Sequence, residues 1–261
     1  MPTRRKVNSV RVVLLVVVFI LIIAGLGSIF VVKTGLSSTG NGDKEVVFTI
    51  ENNESFDSVL EKLKKENGLE YTAAQISCAN GAKQSVCNTI MALVNSGDEV
   101  IVPAPYWVSY PEMVKLADGT PVIVAAGIEQ DFKITPAQLE TAITPKTKAI
   151  ILCSPSNPTG SVYSKEELAG LAAVLAKHPQ VYVIADEIYE HINYIGKHES
   201  IAQFPEIHDR VIIVNGVSKA YAMTGWRIGF IAGPEWLVKA VNKLQGQYTS
   251  GPCSVSQKAA E

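Results

Sequence analysis

Three short runs in the second half of the chain, Ala149–Cys153, Val181–Ala185 and Val211–Val214, are apolar and rich in β-branched residues. A strand that is apolar on both faces has to be covered on both faces, so these runs call for a sheet buried between two layers. Lys165–Ala176 and Pro234–Leu244 carry helical periodicity around them. Upstream, Ile76–Ala79, Glu99–Pro103 and Pro121–Ala125 read as strands, and Gln84–Val94, Pro111–Leu116 and Thr135–Ala142 as helices. Thr135 is placed to cap the last of these, with Pro136 at its first turn. Alternation of this kind predicts an α/β fold, a mostly parallel sheet with helices on both faces.

Ligands of such sheets bind outside the carboxyl ends of the strands. In chain order those positions hold Gly81-Ala82-Lys83, Tyr106-Trp107, Asn157-Pro158-Thr159-Gly160, Asp186-Glu187-Ile188-Tyr189 and Ser218-Lys219. The Gly81-Ala82-Lys83 turn opens a helix, whose free N–H groups and positive dipole end suit a phosphate. Asp186 closes an apolar strand, where a protonated ring nitrogen would satisfy its carboxylate. Lys219 lies among small residues, which leave room for a carbonyl compound at its amine. Arg227 offers a second phosphate contact and Trp107 a stacking face. Each signal alone also has a plain reading: a turn, a helix-dipole acid pair, a core tryptophan, a solvated lysine. Five strand ends with complementary chemistry favour a site for a flat, phosphorylated, cationic ring.

The formal net charge of −2 lacks the basic surplus of a nucleic-acid binder. Four widely spaced cysteines read as buried thiols rather than a disulfide framework. Neither they nor the four histidines show metal-ligand spacing, so no metal is expected. Charged residues are only 18% of the chain, and the apolar excess has a local source. Residues 12–32 form an uncharged apolar run, long enough to cross a bilayer, behind Arg4, Arg5, Lys6 and Arg11. This predicts a basic cytoplasmic tail over 1–11 and a single transmembrane helix over 12–32, with the lipid bilayer as partner and the rest of the chain across the membrane. Residues 33–65 follow as a linker and a small strand–helix segment: Val46–Ile50 as strand, Glu51–Glu54 as turn, Ser55 as N-cap. In outline, residues 1–65 resemble the N-terminal anchor of membrane-bound endolytic murein transglycosylases.

The strings SNPTG (156–160), ADEIYE (185–190) and VSKAYAMTGWRIGF (217–230), with GAKQS (81–85) and PYWVSYPEM (105–113), closely resemble class I pyridoxal-phosphate aminotransferases. The likeness is to the bacterial aspartate and aspartate/prephenate branch, over residues from about 66 to 261. It implies a pyridoxal 5'-phosphate-binding large domain that moves an amino group between an amino acid, aspartate or a related acidic one, and a 2-oxo acid. It also implies catalytic roles for Lys219, Asp186 and Tyr189. Lys219 would carry the cofactor and shuttle the proton, and Asp186 would hold the ring nitrogen protonated. Tyr189 and Asn157 would bond the ring's phenolic oxygen, and Trp107 would stack on the ring. Ala82, Lys83, Ser218 and Arg227 would bind the phosphate, while Trp107 and Asn157 would also face the substrate. The family is a cytoplasmic homodimer, with an N-terminal arm and a C-terminal small domain that carries a substrate-carboxylate arginine. The motifs here cover only the part between, so the expectation is a partial domain of impaired turnover, joined to the anchor near residues 60–72. A non-enzymatic membrane-anchored envelope module or an inactive chimeric fragment is the alternative.

Overall fold

Seven strands form one sheet in the order β1-β7-β6-β5-β4-β2-β3 in the computed structural model, which describes residues 59–261. They are β1 (Ile76–Asn80), β2 (Glu99–Ala104), β3 (Thr120–Ala125), β4 (Thr147–Cys153), β5 (Tyr182–Asp186), β6 (Val211–Gly216) and β7 (Ile228–Ala232). All run parallel except β7, which pairs antiparallel with both β1 and β6. The main helices are α1 (Ala82–Leu93), α2 (Ser109–Leu116), α3 (Pro136–Ala142), α4 (Lys165–Ala176), α5 (Glu235–Tyr248) and α6 (Ser254–Ala260).

The two-period of the strands sends alternate side chains into two separate cores. Ile101, Ile150, Leu152, Val183 and Ile213 pack on one face against Leu139 of α3 and Leu168, Leu171 and Leu175 of α4. Val100, Val102, Ile151, Ile184 and Ile212 pack on the other, against Val86 and Ile90 of α1, Met113 of α2 and Leu237 and Val241 of α5. Each such side chain contributes roughly 1.5–3 kcal/mol relative to exposure. The doubly apolar strands are therefore a consequence of their place in the middle of this sandwich.

Helix ends follow their sequence signals. Thr135 caps α3 by accepting from the Gln138 N–H, and Ser164 caps α4 by accepting from the Glu167 N–H. Beyond the far end of α4, the buried Arg210 guanidinium donates to the carbonyls of Leu175, His178 and Val181. The Leu175 and His178 carbonyls also accept from the N–H groups of His178 and Val181, so the guanidinium adds a second donor to each.

One strand escaped the periodicity. β7 is short, and it sits inside a motif-rich stretch, where its glycine disguised a strand that is buried throughout. α6 ends the described chain, and α5 continues past Leu244 to Tyr248. No disulfide joins the four cysteines, and against the expectation of buried thiols Cys253 is exposed and Cys78, Cys87 and Cys153 are only half-buried. Cys253 lies between α5 and α6, outside either core. The basic tail, the apolar run 12–32, the strand Val46–Ile50, the turn after it and the Ser55 cap lie outside the described residues. Among the described residues no helix is long and apolar enough to cross a membrane.

Candidate active site

Because β7 runs against its neighbours, its first residues meet the carboxyl ends of the other strands at one sheet edge. A cavity of about 210 Å³ opens there. All nine residues singled out from the sequence line it: Ala82, Lys83, Trp107, Asn157, Asp186, Tyr189, Ser218, Lys219 and Arg227. Tyr110, Ile188 and Thr224 complete the wall and were not singled out. Tyr110 stood within the PYWVSYPEM string, three residues after Trp107, which lies just before α2; that string is the signal that could have found it.

Asp186 ends β5 and is buried. Its Oδ2 accepts from the Tyr110 hydroxyl at 2.6 Å, and its Oδ1 from the Ile188 N–H at 3.3 Å. Burial pushes the carboxyl above its ordinary range; the two donors and the Lys219 charge pull it back in part, while Glu187 adds to the rise. Tyr110, raised well above the ordinary phenol by burial and by the Asp186 charge, stays a donor. A buried carboxylate whose remaining lone pairs face a cavity suits a cationic N–H.

Opposite this acid end lies the anion end. Gly81 begins α1 with φ +85, and a Cβ there would come within 2.2 Å of the Arg227 guanidinium. Only glycine admits that approach together with that backbone conformation. Arg227, itself left-handed at φ +58, is held by donating to the carbonyls of Thr224 at 2.7 Å and Asn80 at 3.0 Å. The first N–H groups of α1 have no intrahelical acceptor. With the guanidinium and the Ser218 hydroxyl they make a phosphate-sized donor set. Gly229 lets β7 pass the start of α1, since a Cβ on it would sit 2.3 Å from the Ala82 nitrogen.

Between the two ends stand the aromatic and amine groups. Trp107 meets Tyr110 edge-on with centroids 5.4 Å apart, and the Lys83 ammonium lies 5.0 Å from the indole centroid. The Lys219 Nζ is 5.6 Å from the centre of the Tyr189 ring, and Asn157 Nδ2 donates to the Tyr189 hydroxyl at 3.4 Å. Burial, with the Cys153 and Asp186 charges, raises the Tyr189 phenol. Carboxylate, amine, stacking face and anion cradle in one cleft match pyridoxal 5'-phosphate group for group, and the residues present fit it.

Comparison with known proteins agrees with this geometry. Residues 31–261 match the family profile "Aminotransferase class I and II". That match begins well upstream of the motif-bearing stretch from about residue 66. A bifunctional aspartate aminotransferase and glutamate/aspartate-prephenate aminotransferase of Petunia hybrida is 51% identical over 231 residues, 88% of this chain and 48% of its own. An aspartate/prephenate aminotransferase of Cereibacter sphaeroides is 55% identical over 205 residues, 78% of this chain and 51% of its own. The crystal structure of an aspartate aminotransferase from Rhizobium meliloti superimposes with a TM-score of 0.79 at 45% identity, covering 84% of this chain and 55% of that one. The chain thus spans about half the length of the curated relatives it matches. Enzymes of this class use pyridoxal phosphate. By profile, sequence and fold alike, this chain belongs to the class I and II aminotransferase family.

Proposed function

We propose that the chain is the cofactor-binding portion of an aminotransferase that moves an amino group between an acidic amino acid, aspartate foremost, and a 2-oxo acid. The observation that carries this reading is one cleft that holds Lys219, the buried Asp186 and the Gly81–Arg227 anion cradle together. The relatives named for aspartate and prephenate chemistry supply the substrate class.

When bound, pyridoxal phosphate supplies an electron sink that makes the substrate Cα–H bond breakable. The protein's residues do the rest. Arg227, Ser218 and the N–H groups of Ala82 and Lys83 anchor the phosphate, and Trp107 stacks against the ring. Asp186, whose anionic form its two donors favour, would accept from the ring N–H and hold that proton in place. Lys219 would tether the cofactor through its Nζ, and once the substrate's amino group had displaced it there, the freed amine would take the proton from the substrate Cα. Tyr189, oriented by Asn157, donates to the ring oxygen, and Trp107 and Asn157 face the incoming substrate. A homodimer is part of the proposal.

Titrating the full chain with pyridoxal phosphate tests this. A visible absorbance band that disappears in Lys219→Ala is the expected result, with amino transfer from aspartate to 2-oxoglutarate at most slow. A chain that neither develops the band nor binds the cofactor would refute the proposal.

We also propose that residues 12–32 anchor the chain in a membrane with residues 1–11 cytoplasmic. The uncharged run and the basic residues before it support this. Reporter fusions after Glu261 check it, and a cytoplasmic reporter would overturn it.

A further inference from the structure

Three carboxylates crowd the end of β5: Asp186, Glu187 and Glu190 are all buried. Side by side in a low dielectric, such charges raise one another's pKa unless each has a partner. Asp186 has Tyr110. Glu190 has the Lys62 ammonium in direct contact, Asn67 Nδ2 at 3.0 Å and His191 Nε2 at 3.2 Å. Glu187 turns away from the cleft, where its Oε1 accepts from the Ser200 hydroxyl at 2.7 Å and its Oε2 lies 3.1 Å from His198 Nε2. Among the described residues, His198 is the only ionisable cation paired with Glu187.

The same carboxylate is tied to the geometry of the cleft. The Glu187 N–H donates to Val214 O at 2.9 Å, continuing the β5–β6 ladder past the last strand residue. Its carbonyl accepts from the Glu190 N–H at 2.9 Å, closing the turn that carries Ile188 and Tyr189 into the cavity wall. Ser200 and His198 therefore fasten this turn from behind, across the connection from β5 to β6.

We propose, resting on the assignment of Asp186 as the carboxylate that meets the ring nitrogen, that His198 is a positioning residue for the cofactor site: as an imidazolium against Glu187 it cancels the buried charge beside Asp186 and holds the 186–190 turn. The charged groups acting on its ring are Glu187, Glu190 and Glu199, and the Glu187 charge also acts on the Tyr71 phenol. Burial alone would discharge the ring, but the bond to Glu187 and the three acidic charges outweigh it and lift the imidazole above its ordinary range. The cationic form of His198 is thereby favoured.

The test follows the carboxyl groups by carbon-13 NMR titration of the cofactor-free full chain, with the Asp186 signal assigned by its loss in Asp186→Asn. In His198→Gln, Asp186 is expected to titrate about one unit higher than in the parent, a tenfold shift of its protonation equilibrium. In the Glu187→Gln, His198→Gln double variant, which removes both charges and keeps polar groups, it is expected to return to the parent value. Pyridoxal phosphate affinity at neutral pH should follow the same order, about tenfold weaker in the single variant and restored in the double. An Asp186 titration unmoved in His198→Gln, or one not restored in the double variant, overturns the proposal. Should His198→Gln fail to fold, Glu187→Gln alone decides it: Asp186 must then titrate lower than in the parent. A shifted Asp186 with no cofactor binding in any variant, parent included, sinks the functional reading of the site and leaves the charge role of His198 standing.

Discussion

Replacing Tyr110 by phenylalanine removes one hydroxyl from the back of the cleft and leaves the ring that packs against Trp107. That hydroxyl is the side-chain donor to Asp186, at 2.6 Å, and the carboxylate is buried away from compensating water. A hydrogen bond to a charged group is worth about 1.5–3 kcal/mol. One pKa unit corresponds to about 1.4 kcal/mol, so losing the bond should raise the Asp186 pKa by about 1–2 units. Burial has already raised this group, and the added rise moves its titration toward neutral pH. The protonated acid cannot accept from a ring N–H. The expected result is that pyridoxal phosphate affinity in Tyr110→Phe falls more steeply than in the parent as pH is lowered, and recovers as pH rises. The assay is a cofactor titration across pH, read by absorbance, beside a thermal melt of the free protein. An affinity loss independent of pH would mean that the hydroxyl serves only packing. An unchanged affinity would refute the assignment of Asp186 to the ring nitrogen.

Other perturbations give separable results. Gly229→Ala places a methyl 2.3 Å from the Ala82 nitrogen and 2.5 Å from the Gly81 carbonyl carbon, which are backbone atoms that cannot rotate away. It should cost about 1–3 kcal/mol of stability, read by denaturant unfolding, and weaken phosphate and cofactor binding more than tenfold by isothermal titration. Arg210→Leu removes the side-chain donor to three carbonyls, two of which keep a backbone donor. A loss of about 1–3 kcal/mol is expected in the same unfolding assay. Cofactor affinity should stay within about twofold, because Arg210 precedes β6 at the edge remote from the cleft. The pH profile of stability should fall on both sides. Burial works against the Glu190 and Glu167 carboxylates, but Lys62 and Lys133 respectively hold them below the ordinary range. Their contribution is full above the ordinary carboxylate pKa of about 4.3 and is lost as pH falls through the lowered values. His198, raised, contributes fully below about 6.5 and loses that contribution as pH rises through its raised value. Melting temperatures of the parent and of His198→Gln measured across pH should converge on the alkaline side and diverge on the acid side.

The buried sheet was legible because its middle strands have no polar face to confuse them; Ala149–Cys153 and Val211–Val214 fall wholly within β4 and β6. α4 runs from Lys165 to Ala176 as read, with Ser164 outside it as the cap. β7 was not legible, because a five-residue strand holding Gly229 offers no alternation to count, and its glycine answers to α1 rather than to the sheet. Eight of the nine candidate residues were read at strand ends, known addresses in such a fold, and Arg227 from its place eight residues after Lys219; the structure gathers all nine around one cleft. What sequence concealed were the partners one step removed. Tyr110 is a tyrosine on a helix until Asp186 arrives from 76 positions away. His198, given no role from spacing, acquires one only when the connection from β5 to β6 folds back to bring it against Glu187. Pairings of that kind depend on tertiary closure, which no local pattern encodes.

The reversed direction of β7 has a consequence for how this site can change. Most contributions to the cleft come from separate crossovers, each long enough to carry a helix and to absorb an inserted residue. Ser218, Lys219, Thr224 and Arg227 do not; they share the single connection 217–227, which leaves β6 and enters β7 at the same edge. Its two ends are locked by strand pairing, Asn215 to Phe230 and Gly216 to Gly229. A residue added there would alter at once the distance from the tethering amine to the phosphate clamp, and no neighbouring helix could slide to restore it. Length variation should therefore be tolerated at the opposite edge, in turns such as 95–98, 117–119 and 177–181, and refused in 217–227. The spacing of eight positions between Lys219 and Arg227 acts as a fixed ruler for the molecule the cleft accepts.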